Sequence, residues 1–206
     1  MKIPSFVHTI ILVVLFILLQ FTTYIASTSA TSPFQARKDI DYIKISCNTT
    51  SYPRLCYRSL SIYANEINSS PKLLANTALN VTLRAAKSTS RLMTRISKIP
   101  GLKRREAAAL ADCMEVIGDS VEEIQQSIEE LGHINRYNFD ITMSDIQTWV
   151  SAALTDEDTC MDGFDGTAVD GKVKSMVRRR IVKIAHLTSN ALAIVNDYAS
   201  TPSNMP

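Results

Sequence analysis

Glycine and proline are scarce in this sequence, six and seven among 206 residues, and several of them fall near the ends of apolar-periodic segments. Aromatic side chains make up 7% of the chain, with a single tryptophan. A β-sandwich needs many short Val/Thr/Tyr-rich runs punctuated by turn residues, and those runs are missing here. An excess of one charge is missing as well: 22 Lys and Arg stand against 20 Asp and Glu, for a net charge of +2. That balance gives no case for a nucleic-acid partner. The constellations of common catalytic sites are also lacking. There is no G-x-S-x-G elbow, no H-E-x-x-H helix and no phosphate-cradling glycine-rich loop, so the expectation is a protein that is not an enzyme and uses no cofactor or metal. The acids Asp156, Glu157, Asp158, Asp162 and Asp165 lack the D-x-D-x-D-G spacing and terminal Glu of a calcium loop, and read instead as complementing a helix dipole.

What is present favours helices. The first thirty residues read as a signal peptide. Lys2 supplies the positive start, Ile10 to Leu19 is an unbroken apolar core, and small residues follow to Ala30. That core is shorter than the roughly 20 residues a membrane-spanning helix requires. Cleavage is expected after Ala30, with Ala26 as the alternative, leaving a mature chain of net charge +1 and no membrane association. In an oxidising compartment Cys47, Cys56, Cys113 and Cys160 make an even set, so two disulfides are expected. Asn48, Asn68 and Asn80 each begin an N-x-[ST] sequon and are candidate glycosylation sites.

Two short helical pieces, Asp41 to Cys47 and Tyr52 to Ile67, are joined by a turn ahead of Pro53, a residue suited to a first helical turn. Pro71 opens a long segment to about Ile99. In the next helix Leu110, Ile117, Ile124 and Leu131 recur every seven residues, with Met114, Val121 and Ile128 read as the offset stripe of an a/d seam. Gly132 is read as its stop. A third helix is expected after Ser144-Asp145, with Trp149 as a core anchor. A fourth runs from about Val169 to Ala199, carrying Val177, Ile184, Ala191 and Tyr198. Its Arg178-Arg179-Arg180 run reads as a solvated helix face. His133 in a loop and His186 on this last helix read as solvated or capping. The fold class is therefore all-α: an up-down-up-down four-helix bundle at about 71–200, preceded by a helical hairpin at about 37–68. Cys47 and Cys56 are close enough to staple the hairpin. Cys113 and Cys160 lie about equally far from the loop between two antiparallel helices, so they reach the same level and can bridge.

These segments resemble a known family. Cys47-Asn-Thr-Thr-Ser-Tyr-Pro-Arg-Leu-Cys56 resembles its N-terminal disulfide hairpin, and Ala111-Asp-Cys-Met-Glu115 its second bundle helix. Gln147-Thr-Trp-Val-Ser-Ala-Ala-Leu-Thr155 with Asp158-Thr-Cys-Met-Asp-Gly-Phe164 resembles the third, and Leu187-Thr-Ser-Asn-Ala-Leu192 the last. They are similar to the plant invertase and pectin methylesterase inhibitor family over nearly the whole mature chain, 31–206. The resemblance implies a protein secreted to the apoplast and cell wall that blocks an enzyme's cleft in a 1:1 complex. Invertase inhibitors carry a Pro-Lys-Phe element after the second bundle helix. Gly132-His-Ile-Asn-Arg-Tyr-Asn-Phe139 lacks it, so pectin methylesterase is the expected partner and acid invertase the alternative. The domain also occurs as the pro-region of some pectin methylesterases, and a chain stopping at Pro206 reads as a stand-alone inhibitor. A different class, a secreted helical-bundle receptor ligand or small-molecule carrier, stays open on the bundle alone.

The resemblance also implies a contact surface. Glu115, Asp119 and Glu122 lie at i, i+4 and i+7 and share one helix face. Thr159 and Asp162 flank Cys160. By position around the two cysteines, these five resemble the family's enzyme-contacting residues. A cleft that binds a polyanion is expected to present positive charge, against which an acidic face competes.

Overall fold

In a computed structural model of the chain, residues 6, 10–17, 33–164 and 171–200 are described. Most of the expected signal peptide, including Ala26 and Ala30, lies outside them, as do Asp165, Gly166, Val169 and Pro202. Residues 10–17 are helical and belong to a unit that ends at Gln35; a second unit begins at Ala36. The helices are α1 (Pro33–Asn48), α2 (Pro53–Leu60), α3 (Ala64–Ile67), α4 (Pro71–Ile96), α5 (Arg104–His133), α6 (Phe139–Asp162) and α7 (Lys172–Ser200), with a 3₁₀ turn at Ser61–Tyr63 between α2 and α3. No strand occurs among the described residues. The α1–α3 hairpin is thus longer at its start than its sequence suggests and broken near Tyr63.

Local chemistry fixes the hairpin. Pro53 sits in the first turn of α2, where an amide hydrogen would have no helical partner. Cys47 and Cys56 are joined, with Cα atoms 5.5 Å apart. The Tyr52 amide donates to Asn190 Oδ1 at 2.9 Å, and Asn190 Nδ2 donates back to the Tyr52 carbonyl at 3.1 Å. Asn190 is buried, so this two-way bond satisfies its amide inside the protein while clamping the hairpin to α7. Between α3 and α4, Asn68 and Ser69 adopt φ of 48° and 53°. Asn tolerates this left-handed conformation better than most residues, and Ser69 Oγ donates to Asp39 Oδ1 at 2.6 Å, tying the turn to α1.

The four long helices form a ring in which each packs against its neighbour in sequence and α4 closes against α7. Ser70 caps α4 by accepting from the Leu73 amide, and Pro71 follows in the first turn. Glu106 Oε2 accepts from the Lys103 amide at 3.0 Å to cap α5. Leu110, Ile117, Ile124 and Leu131 are all buried, as a core stripe requires. The second stripe of α5 differs from expectation: Met114, Val121 and Ile128 are only half-buried, and the buried positions are Cys113, Ser120 and Ser127. The reason is proximity. The α5–α6 contact is the most extensive in the bundle, and the Cys113 and Cys160 Cα atoms are 4.3 Å apart. Small side chains fit between the helices, and the larger ones move to the flank. Each serine hydroxyl is satisfied, Ser127 Oγ on the Glu123 carbonyl at 2.8 Å and Ser120 Oγ on Glu157.

Helix α6 begins at Phe139, one turn before Ser144-Asp145, and buries two interleaved heptad series: Phe139, Ile146, Ala153, Cys160 and Met143, Val150, Glu157. Gly132 lies inside the last turn of α5 and does not stop it. The turn that follows is built by side chains. Asn138 Oδ1 accepts from the Asn135 amide at 2.7 Å, and Asn135 Oδ1 from the Tyr137 amide at 2.9 Å. Trp149 is half-buried and is not among the buried core residues; its position falls outside both α6 series. Phe139 and Tyr198 meet edge to face at 5.5 Å, joining the start of α6 to the end of α7.

The revised seam is testable. Ile117→Ala empties a buried site and is expected to cost about 3 kcal/mol, whereas Val121→Ala on the flank costs roughly 1 kcal/mol or less. Urea denaturation monitored by circular dichroism compares the two midpoints.

Candidate functional site

Cys113 and Cys160 are buried and bonded to each other, which holds α5 and α6 together at that level. Glu115, Asp119 and Glu122 on α5 and Thr159 and Asp162 on α6 are all exposed. Thr159 Oγ1 spends its hydrogen on the Thr155 carbonyl at 2.8 Å, which leaves its oxygen as an acceptor.

Two further acids lie beside Asp119: Glu123, not singled out in the sequence, and Asp156, read there only among the helix-dipole acids. Glu123 and Asp156 meet between α5 and α6, and Asp119 acts electrostatically on both. Loss of water pushes the Glu123 carboxyl up to about 7, with the Asp156 charge, their shared hydrogen bond and Asp119 adding to the rise. Asp156 is also raised, chiefly by burial, while its hydrogen bond with Glu123 pulls the other way. Two carboxyls this close favour a single shared proton over two negative charges. The sequence signal for Glu123 was its i+4 spacing from Asp119. Asp156 becomes legible only once the register of α6 on α5 is known.

Successive residues on a helix point about 100° apart, so Asp156, Glu157 and Asp158 face three different surroundings. Asp156 meets α5. Asp158 lines a hollow of about 230 Å³ with Tyr52 and His186. Glu157 points into the bundle and is fully buried. Its Oε1 accepts from Ser120 Oγ at 3.1 Å and from Thr188 Oγ1 at 2.8 Å, which links α5, α6 and α7. Its Oε2 has no hydrogen-bond partner among the described residues. Desolvation pushes this carboxyl up to about 8, against the two hydroxyl hydrogen bonds. Reading these acids together with Asp162 as complementing a helix dipole is therefore corrected: they lie in the last two turns of α6, the end that disfavours negative charge, and Asp156, Glu157 and Asp158 do three separate things. Among the described residues no group of three or more His, Cys, Asp or Glu is placed to hold a metal ion.

Residues 41–194 match the family profile described as plant invertase/pectin methylesterase inhibitor. The chain belongs to this family. It is 53% identical over 176 residues to Pectinesterase inhibitor 10 of Arabidopsis thaliana, covering 84% of this chain and 56% of that protein. It is 46% identical over 195 residues to Pectinesterase inhibitor 9 of the same plant, covering 92% and 95%. The chain thus spans a little over half of the first relative and nearly all of the second. The fold is similar to a crystal structure of a mutant form of a pectin methylesterase inhibitor from Arabidopsis, with a TM-score of 0.60 at 24% identity, covering 73% of this chain and 92% of that one. Among the described residues, no helix of this inhibitor-family chain is long and apolar enough to cross a membrane.

The remaining sequence candidates are unequal in this family member. Asn48 and Asn68 are exposed, at the end of α1 and at the left-handed turn. Asn80 is half-buried inside α4 and its Nδ2 donates to the Asn76 carbonyl at 2.9 Å; the sequon threonines Thr50 and Thr82 are both buried. His133 is exposed at the C-terminal end of α5. His186 is not freely solvated: it is half-buried and stacks on Tyr52, with ring centroids 3.6 Å apart.

Glu157 makes stability depend on pH. A carboxyl raised from 4.5 to about 8 keeps its proton in the folded state across a window where the unfolded chain has released it. Its contribution is complete below that window and lost as pH rises through it. The melting temperature is expected to fall between about pH 5 and about pH 8 by on the order of 5–10 °C. Glu157→Gln, which stays neutral, should flatten that fall and melt above the parent at the alkaline end in a calorimetric series.

Proposed function

We propose that this chain is a secreted inhibitor of pectin methylesterase that binds the enzyme 1:1 in the cell wall and lays the α5–α6 acidic face across its pectin-binding cleft. The observation that carries the reading is identity of 46–53% over most of the chain to relatives named pectinesterase inhibitors. Electrostatics supports the choice of face. A cleft for a polyanionic substrate favours positive charge, and Glu115, Asp119 and Glu122 present exposed negative charge beside a rigid staple. The protein acts by occupying the cleft and performs no chemistry of its own. The turn after α5 lacks the Pro-Lys-Phe element of invertase inhibitors, which leaves acid invertase as the second target to test. In this reading glycans occupy Asn48 and Asn68 and spare Asn80, whose amide nitrogen is already engaged.

The decisive experiment titrates the oxidised, purified protein against pectin methylesterase and acid invertase. Loss of esterase activity near equimolar ratio, with invertase untouched, is the expected result; retention of esterase activity would overturn the reading. Asp119→Lys should weaken inhibition at least tenfold, about 1.4 kcal/mol, with an unchanged circular-dichroism spectrum. Glu66→Lys, on α3, serves as the control and should inhibit like the parent. Mass spectrometry of glycopeptides from the plant-expressed protein checks the glycan assignment.

A further inference from the structure

The Arg178-Arg179-Arg180 run has no part in the acidic face. It lies on α7, and these three residues and Lys183 are all exposed. Two hollows flank it. One, of about 420 Å³, is lined by Leu92 of α4 with Met176, Arg179, Arg180 and Lys183. The other, of about 480 Å³, is lined by Leu55 of the hairpin with Arg178, Arg179, Val182, Lys183 and His186. Arg179 and Lys183 border both, so they form a cationic ridge between two recesses. Met176, Arg179, Arg180 and Lys183 follow i, i+3, i+4 and i+7 spacing, a line about 10 Å long on one helix face. Among the described residues, no Asp or Glu lines either hollow. In the ring α7 stands diagonally from α5, the helix that carries Glu115, Asp119 and Glu122.

We propose that this basic face binds de-esterified pectin, a run of uronate carboxylates, and so holds the inhibitor on the acidic polysaccharide of the wall while α5–α6 remains available to an enzyme. The choice of polyanion rests on the pectin methylesterase reading. The recesses fit a carbohydrate: half-buried Leu92, Met176, Leu55 and Val182 offer shallow apolar floors for the C–H faces of sugar rings, and the ridge and rims offer guanidinium and ammonium groups to carboxylates. A membrane fits less well, since these apolar side chains are recessed and none is among the exposed large hydrophobic residues. Duplex nucleic acid fits less well, since the chain's net charge is only +2.

The test measures binding of the full oxidised chain to polygalacturonate at low and at physiological salt, with fully methyl-esterified pectin, anionic phospholipid vesicles and duplex DNA as comparators. Polygalacturonate should bind with an affinity that falls as salt rises, and the esterified polymer should not bind. The triple variant Arg179→Gln, Arg180→Gln, Lys183→Gln should lose at least tenfold in affinity for polygalacturonate. Its complex with pectin methylesterase, measured calorimetrically without pectin, should be unchanged. If circular dichroism shows that the triple variant misfolds, Arg180→Gln alone and the charge-preserving pair Arg179→Lys, Arg180→Lys replace it, with loss expected in the first and retention in the second. No binding to polygalacturonate, binding that survives neutralisation of the ridge, or tighter binding to vesicles or DNA would each overturn the proposal. The enzyme titration separates the two readings: inhibition without polygalacturonate binding defeats only this inference, and polygalacturonate binding without inhibition defeats only the inhibitor reading.

Discussion

The bond between Cys113 and Cys160 fixes how far α5 can slide along α6, and most of what this chain presents to its surroundings follows from that register. Two antiparallel helices with heptad stripes can pack in several registers one turn apart, each burying comparable apolar surface. A covalent link with its Cα atoms 4.3 Å apart selects one. In that register Ser120 reaches Glu157, and Glu123 meets Asp156 beside Asp119. A shift by one turn would leave the Glu157 carboxyl facing apolar side chains without its Ser120 donor, a costly position for a group fully out of water.

The second constraint is the smallness of what lies under the staple. Serine at positions 120 and 127 gives little hydrophobic stabilisation by itself. Its value is geometric, because it lets two backbones come close enough for the helices to contact along their length. The neighbouring Met114, Val121 and Ile128 then cover the edges of the seam, half in water. The bundle keeps four polar side chains inside this region or next to it, Ser120, Ser127, Glu157 and Thr188. Hydroxyl donors satisfy one Glu157 oxygen, and burial raises the carboxyl's pKa toward the neutral form, which removes the charge that burial penalises.

Much of this architecture is legible in the residues. The seven-residue recurrence of Leu110, Ile117, Ile124 and Leu131 marks a core stripe because large aliphatic side chains repeat there without exception. The companion stripe is hidden because hydropathy cannot tell a buried serine from an exposed one, and the fuller Met114, Val121 and Ile128 draw the eye one residue too far. The start of α6 is obscured similarly. Ser144-Asp145 looks like a cap, whereas the chain turns earlier through asparagine side chains that satisfy backbone amides at Asn135 and Tyr137. Glu123, Asp156 and Glu157 take their character from groups on other helices, so no inspection of α5 or α6 alone could separate them from Glu115, Asp119 or Asp158. The fold is thus encoded in periodicity, while the electrochemical identity of each carboxyl is a tertiary property.

The separation of charge across the bundle has a consequence for motion before contact. The chain as a whole is nearly neutral, so a distant charged surface neither pulls it in nor pushes it away strongly. With acids on α5 and α6 and cations on the α7 ridge, it nonetheless carries an electric moment that a local field can turn. Torque of this kind acts only over the last Debye length, about 8 Å at physiological ionic strength. Within that distance the molecule rotates toward a surface of either sign while its net attraction stays weak. Orientation then precedes capture, and fewer encounters are spent on the wrong side of the bundle.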